Sequence, residues 1–438
     1  MANSYEEVAI YQLPHEIFHC IFGFLVSEDR HQLEVKISRR PIVAFTISQV
    51  SQRWRDIALE LPFIWTNIRI FHFRDSQRNM VKELIARTKG LPLSITLEYN
   101  QPLTASQKKN CWDILLEIMS CALRWEALRI AVNEDLFTQI CGNFGGRQAP
   151  ILQRLELIIL GFHELHGQHR QLLVSPLYLE LSQTHKLRHL ALLGVRLRMP
   201  SPTYMEQLEV LSLDYAPGMD MLDRPGLDLE APPLPTRLRA LHLTGIVPRN
   251  LPTRSYLSEY TALLTVLSLS NISGYNSADV VRLFQHLPTT TLQELSISNV
   301  DAAFWDGLLD SMTGADPRYP AVKRLSLQNV EAGYVQETEL LPTHFISAFP
   351  MLEVLELCNV QHITNALKWH KIFPSMHTLR VRGVLYKVLC DVVDFRIEHD
   401  LPLTTLEVDT PSFLDLSSLA WLQRKVPIFK RNSKENAY

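Results

Sequence analysis

One short pattern recurs along this chain and restricts its fold more than any other feature. It reads apolar-x-x-apolar-x-apolar, often closed by x, then Asn or Gly, then a β-branched residue. The clearest copies are Leu264-Leu267-Leu269 with Asn271-Ile272, and Leu292-Leu295-Ile297 with Asn299-Val300. Val322-Leu325-Leu327 closes on Asn329-Val330, and Leu352-Leu355-Leu357 on Asn359-Val360. Leu238-Leu241-Leu243 and Met376-Leu379-Val381 use Gly245-Ile246 and Gly383-Val384 instead. Weaker copies begin at Trp125, Leu152, Leu187, Leu208 and Leu403, and the anchors lie on average about 28 residues apart. Alternation sends the leucines to one face of a strand and the x residues to the other. Asn and Gly both tolerate the unusual backbone angles of a tight turn. The chain then returns as a helix or an irregular arc, and stacked units bury a leucine core that no single unit closes alone.

This array resembles leucine-rich repeats of the degenerate class, with the Asn one place earlier than in L-x-x-L-x-L-x-x-N/C-x-L. The resemblance implies an α/β solenoid of parallel strands with helical or irregular returns. Several returns read as helices. Ser277 is a candidate N-cap ahead of Val280, Val281, Phe284 and Leu287. Phe304, Leu308, Leu309 and Met312 form a second apolar face, and Leu367, Trp369 and Phe373 a less regular third. Upstream, Asp75 or Ser76 caps a helix carrying Met80, Leu84 and Ile85 that Gly90 ends. Leu93, Ile95 and Leu97 alternate as an edge strand, and Thr104 opens a helix with Trp112, Leu115, Leu116 and Met119.

The first seventy residues follow a different period. Pro14 suits a first helical turn. Ile17, Ile21 and Phe24 run down one side of that helix, with Phe18, Phe22 and Leu25 beside them. A second helix carries Val50, Trp54, Ile57 and Leu61, with Pro62 and Trp65 beyond it. So wide an apolar arc in so short a segment needs a partner outside it. Leu13-Pro14-x-Glu16-Ile17-x-x-x-Ile21-Phe22-x-x-Leu25, then Val50-Ser51-x-x-Trp54-Arg55-x-Ile57-Ala58 and Pro62-x-x-Trp65, resembles an F-box. Joined to an irregular leucine-rich array, it is similar to the large group of fungal F-box proteins. The resemblance implies binding to the Skp-family adaptor of a cullin-RING ubiquitin ligase, with Leu13, Pro14, Ile17, Ile21, Val50 and Trp54 in or under the contact surface. Ser27 to Arg40 is a charged insertion where many F-boxes have a short loop. It is either a tolerated surface loop or a modifier of adaptor affinity. The expected organisation is a tail over 1–9, an F-box over 10–70, a repeat domain with its cap over 71–423, and a basic tail over 424–438.

Bulk composition narrows the function. Of 438 residues, 46% are hydrophobic and 20% charged, as in a globular chain, and a net charge of −3 gives no pull toward nucleic acid or anionic membrane. The six cysteines are scattered without a C-x-x-C pair, which suits free thiols in a reducing compartment. The first ten residues carry Glu6 and Glu7 and no apolar core of a secretory signal. No apolar run reaches the roughly 18 residues that cross a bilayer. The expected location is cytoplasm, nucleus or both.

Candidate chemistry is sparse, and no cofactor or metal is expected. His163-Glu164-Leu165-His166 with His169 lacks the H-E-x-x-H spacing and reads as a solvated loop. No phosphate-cradling or nucleophile-elbow motif occurs, and Gly145-Gly146 is a flexible turn. Cys358 has no histidine placed to activate it. The expectation is therefore not an enzyme but a substrate receptor, with an interaction scaffold outside any ligase as the alternative. Alternation places Glu156, Ala191, Ser212, His242, Ser268, Ser296, Ser326, Glu356, Arg380 and Glu407 in one outward row, and Arg382 in the next. Ser268, Ser296, Ser326, Glu356, Arg380 and Arg382 are the candidate client contacts; the other reading is plain solvated strand residues. The client itself is unknown from the sequence.

Overall fold

The computed structural model describes residues 13–35, 43–133, 148–160, 184–193, 207–214, 237–245, 263–272, 290–313, 317–331, 343–360, 373–384, 386–409 and 416–431, with isolated positions in 135–140, 284–287 and 363–367. The histidine cluster at 163–169, Gly145-Gly146 and the cap at Ser277 lie outside these residues.

The chain forms two compact units. The first holds residues 1–169, 174–190 and 195–200, and the second holds the rest. In the first, α1 (His15–Val35), α2 (Val43–Ser48) and α3 (Gln52–Glu60) precede β1 (Asn67–Ile70). Then come α4 (Asp75–Arg87), β2 (Leu93–Tyr99), α5 (Ala105–Ser120), β3 (Trp125–Val132) and β4 (Arg154–Ile159). Strand β5 (His189–Leu193) is divided between the two units, 189–190 in the first and 191–193 in the second. The second unit contains β6 (Val210–Asp214), β7 (Ala240–Thr244), β8 (Val266–Ser270), β9 (Glu294–Val300), β10 (Arg324–Val330), β11 (Val354–Cys358), β12 (Thr378–Arg382), β13 (Thr405–Asp409) and β14 (Ile428–Arg431). Strand order follows chain order, and every described pair is parallel.

The repeat pattern predicts the second unit well. The leucines of successive copies stand in register, Leu267 beside Leu295 and Leu295 beside Leu325, and all three are buried. Each fully buried leucine stabilises by about 1.5–3 kcal/mol. The closing Asn does more than permit a turn. Asn271, Asn299, Asn329 and Asn359 all have φ between 47° and 55°, in the left-handed region. Their side-chain amides form a line. Asn299 Nδ2 donates to Asn271 Oδ1 at 2.9 Å, Asn329 to Asn299 at 2.6 Å, and Asn359 to Asn329 at 2.7 Å. Gly245 and Gly383 take the same backbone region at either end of the run. A Cβ at Gly383 would sit 2.0 Å from Asn359 Oδ1, so the last amide occupies the space that glycine leaves open.

Four details differ from the sequence expectations. The Leu93–Leu97 strand is not an edge, because β1 pairs along it in register Asn67 with Ser94 through Ile70 with Leu97. Trp65-Ile68-Ile70 keeps the apolar-x-x-apolar-x-apolar spacing without a closing Asn or Gly, so this strand is a further weak copy upstream of Trp125. The charged stretch expected as a loop from Ser27 is helical as far as Val35, since its Glu, Arg and Gln residues favour helix and no breaker interrupts them. Residues 424–431, read as the start of a basic tail, complete the helix Leu416–Lys425 and form β14. Finally, α5 turns Cys111, Ile114, Leu115, Ile118 and Met119 inward and leaves Trp112 and Leu116 partly outside. Its start is as expected: Thr104 and Gln107 form a reciprocal capping box.

Candidate functional site

Two surfaces bear on function, and each belongs to one unit. In the first unit, α1 is split lengthwise by its own periodicity. Phe18, Phe22 and Val26 face the interior, while Ile17 is 43% and Phe24 67% exposed. Ser51 caps α3, its side chain accepting from Trp54 N at 3.2 Å. Trp54 then lies against Phe18 and Phe22, with ring centroids 5.4 and 5.2 Å away. Arg53 ties the two helices together. Its guanidinium donates to Leu13 O at 2.7 Å and stacks over Phe18 at 5.3 Å. This bond holds the Leu13-Pro14 entry of α1 against the start of α3.

The motif residues lie along α1 and its entry and at, or just before, the start of α3. Pro14, Ile17 and Val50 are exposed, Val50 at 54%, and Leu13, Ile21 and Trp54 are half-buried. Phe24 and Leu59 are exposed too, and sequence reasoning left both out of the contact set. Phe24 stood in the amphipathic stripe all along, so its spacing was the available signal. Leu59 had none, because i,i+4 spacing marked only the buried face of α3.

Behind this surface the segment is anchored rather than tethered. Trp65 is fully buried, its indole Nε1 donating to Ala58 O at 2.8 Å. Phe45 packs edge-on against it at 5.8 Å, and Arg87 of α4 covers it at 4.8 Å. Ser94 N donates to Thr66 O at 2.9 Å, so the helical segment runs directly into the sheet.

The outward row of the sheet differs between units. In the second, Ser212, His242, Ser268, Ser296, Ser326, Glu356, Arg380 and Glu407 stand in continuous register, as alternation predicts. All eight are half-buried, and burial holds the His242 imidazole below its ordinary value. In the next row Thr244 and Ser270 share a hydroxyl hydrogen bond of 2.7 Å. The charges at the C-terminal end are internally matched. Arg380 lies 3.7 Å from Glu356 and 3.1 Å from Glu407, and Arg382 is 3.1 Å from Asp409.

In the first unit the same row is closed off. Arg69, Thr96 and Arg129 align with Glu156, yet Arg69 is 2% and Glu156 4% exposed. The expectation that Glu156 faces solvent is overturned, as it is for Ala191 of the second unit; both are buried. Burial alone would raise the Glu156 carboxyl, but Arg154 and Arg129 outweigh it and hold the group below its ordinary value. Arg154 Nε and Arg129 Nη1 bond its two oxygens, and His189 Nε2 lies 3.6 Å away. An alternation rule fixes which way a side chain points, not what lies above it.

Among the described residues no group of His, Cys, Asp and Glu is placed to hold a metal, and no helix is long and apolar enough to cross a membrane. Cys358 is half-buried and in register with Gln328 and Arg382. Cys111 is buried, which pushes its thiol up to about 12. Comparison with known families matches residues 10–71 to the F-box-like domain. No curated protein matches the chain.

Proposed function

We propose that this chain is the substrate-recognition subunit of an SCF-type cullin-RING ubiquitin ligase. Its F-box-like domain binds the Skp-family adaptor, and a leucine-rich-repeat solenoid holds the client. The observation that carries this reading is the coincidence of the F-box-like match over residues 10–71 with an exposed apolar surface at Pro14, Ile17, Phe24 and Val50. Exposed aliphatic and aromatic side chains grouped on one face mark a binding surface, since leaving them in water forgoes the free energy of their burial. The chain performs no catalysis itself. It works by proximity, raising the effective concentration of a client lysine near a charged ubiquitin carrier. A cytoplasmic or nuclear location follows from this role, as do free thiols. The client lies along the outward row of the second unit, in the stretch Ser268, Ser296, Ser326, Glu356 and Arg380, with Arg382 beside it.

A second reading has one observation in its favour. The packing of Trp65 beneath Arg87 and Phe45 makes the helical segment a cap for the first strands, and a scaffold outside any ligase needs only that. Capping gives no reason for the exposed face opposite. A pull-down with the Skp-family adaptor separates the two. The ligase reading expects wild-type chain to retain adaptor and Leu13→Ala/Pro14→Ala to lose it, with both folded by circular dichroism. Adaptor retained by neither leaves the scaffold.

A further inference from the structure

Strand β14 pairs with β13 along one edge, Thr405 with Ile428 through Val408 with Arg431, and among the described residues nothing pairs with the other edge. The outward row reaches this edge with alternating sign: Glu356, Arg380, Glu407, Lys430, one per strand and in register. Arg380 stands between two carboxylates, and Glu407 between two cations, with Lys430 Nζ 3.1 Å from its Oε1. Among the described residues Lys430 meets a carboxylate on its β13 side only, and its side chain is 59% exposed. The strand beyond β14 would complete the alternation with an acidic residue.

We infer that the open edge of β14 receives an extended acidic segment of a partner protein by strand addition, with a carboxylate opposite Lys430. Backbone N–H and C=O groups along the edge supply sequence-independent pairing, and the charged row selects what pairs. Lysine on an edge strand ordinarily deters indiscriminate association. Here the same charge discriminates, since a second copy of the chain paired in the same register would set Lys430 against Lys430, whereas an acidic strand continues the ladder. The inference deepens the receptor reading and rests on it for calling the partner a client; the binding is measured without the adaptor.

The test uses the full chain and a fluorescent eight-residue peptide alternating Glu with Val, followed by anisotropy. Two control peptides carry Lys in place of Glu, or N-methyl groups on the amides of one edge. The Glu peptide is expected to bind, and both controls to bind at least about tenfold more weakly. Lys430→Glu, folded by circular dichroism, should reverse the preference between the Glu and Lys peptides while adaptor pull-down stays unchanged. Equal binding of the N-methylated peptide would reduce the effect to charge adsorption and overturn strand addition. So would an unchanged preference in Lys430→Glu, or no binding of the Glu peptide. Binding that appears only when residues 432–438 are replaced by a Gly-Ser stretch would give the edge to the chain's own terminus. Self-association in sedimentation that Lys430→Glu abolishes would give it to a second copy. Peptide binding without adaptor binding would refute the receptor reading and leave the edge site standing.

Discussion

Ile17 and Leu355 are both branched aliphatic residues within regular elements, and they meet opposite fates. Leu355 is buried completely between neighbours that repeat it, Leu325 on one side and Leu379 on the other. Ile17 stands almost half exposed one residue from Phe18, which is fully buried. The repeat region satisfies its apolar face from its own sequence, one strand supplying what the next requires. The helical segment has one apolar face satisfied by Trp54, Phe22 and the start of the sheet, and a second face left over. Hydrophobic content alone therefore says little about role. What separates core from docking surface is whether the periodicity provides an internal partner.

Substitution gives this contrast a scale. Leu355→Ala removes a side chain that cannot be replaced by local collapse, so urea denaturation should show a loss of about 3 kcal/mol. A loss below about 1 kcal/mol would mean that the repeats are packed more loosely than their register implies. Glu156→Gln tests the closed row of the first unit and should cost about 2 kcal/mol near neutral pH, because it leaves two half-buried guanidinium groups without their counter-charge. Its pH dependence has a definite sign. The carboxyl lies lower in the folded chain than its ordinary 4.5, so its contribution is complete above that value and is lost as pH falls through the folded one. The gap between wild type and Glu156→Gln should therefore narrow as pH is taken below 4.5; a gap that widened in acid would reverse the assignment. Asn329→Ala forfeits two amide bonds and puts at φ 47° a residue that tolerates the left-handed region less well than Asn, for a loss of about 1–2 kcal/mol. Asn329→Gly keeps the backbone angle and should recover part of that loss. Smallest in stability is Ile17→Ala/Val50→Ala, expected within about 0.5 kcal/mol of wild type. Its adaptor affinity should nevertheless fall at least about tenfold by calorimetry. Equal losses of stability and affinity would make this face core after all.

The parts legible in the sequence were those where one rule decides the outcome. Leucine alternation with a closing Asn located β8 to β11 and foresaw the left-handed turns, because few residues tolerate that backbone region. Thr104 marked the start of α5 through its side-chain chemistry. Strand β14 was missed because Ile-Phe-Lys-Arg carries charge and lacks the flanking signals; its strand character comes from the neighbour it pairs with. Strand β1 keeps the repeat spacing in Trp65, Ile68 and Ile70, but no Asn or Gly closes that copy and it falls at the end of the F-box motif. Glu156 was read as outward because alternation aims it away from the leucine face, and only tertiary covering makes it interior; Arg69, which no pattern singled out, is covered likewise. At the helical segment the family motif pointed to Ile17 and Val50, while Phe24 required knowing which side of α1 its neighbours leave open.

The asparagine line has a consequence for how such a chain can change length. Each amide offers the next turn the same donor and acceptor at the same pitch, so a unit bounded by Asn on both sides fits beside any other such unit. Between Asn271 and Asn359 the molecule is modular: a unit could be duplicated or excised there and the junction would still be chemically complete. Gly245 and Gly383 carry no amide and cannot pass the pattern on. They act as end stops, and growth by repeat copying should be confined to the interval they enclose.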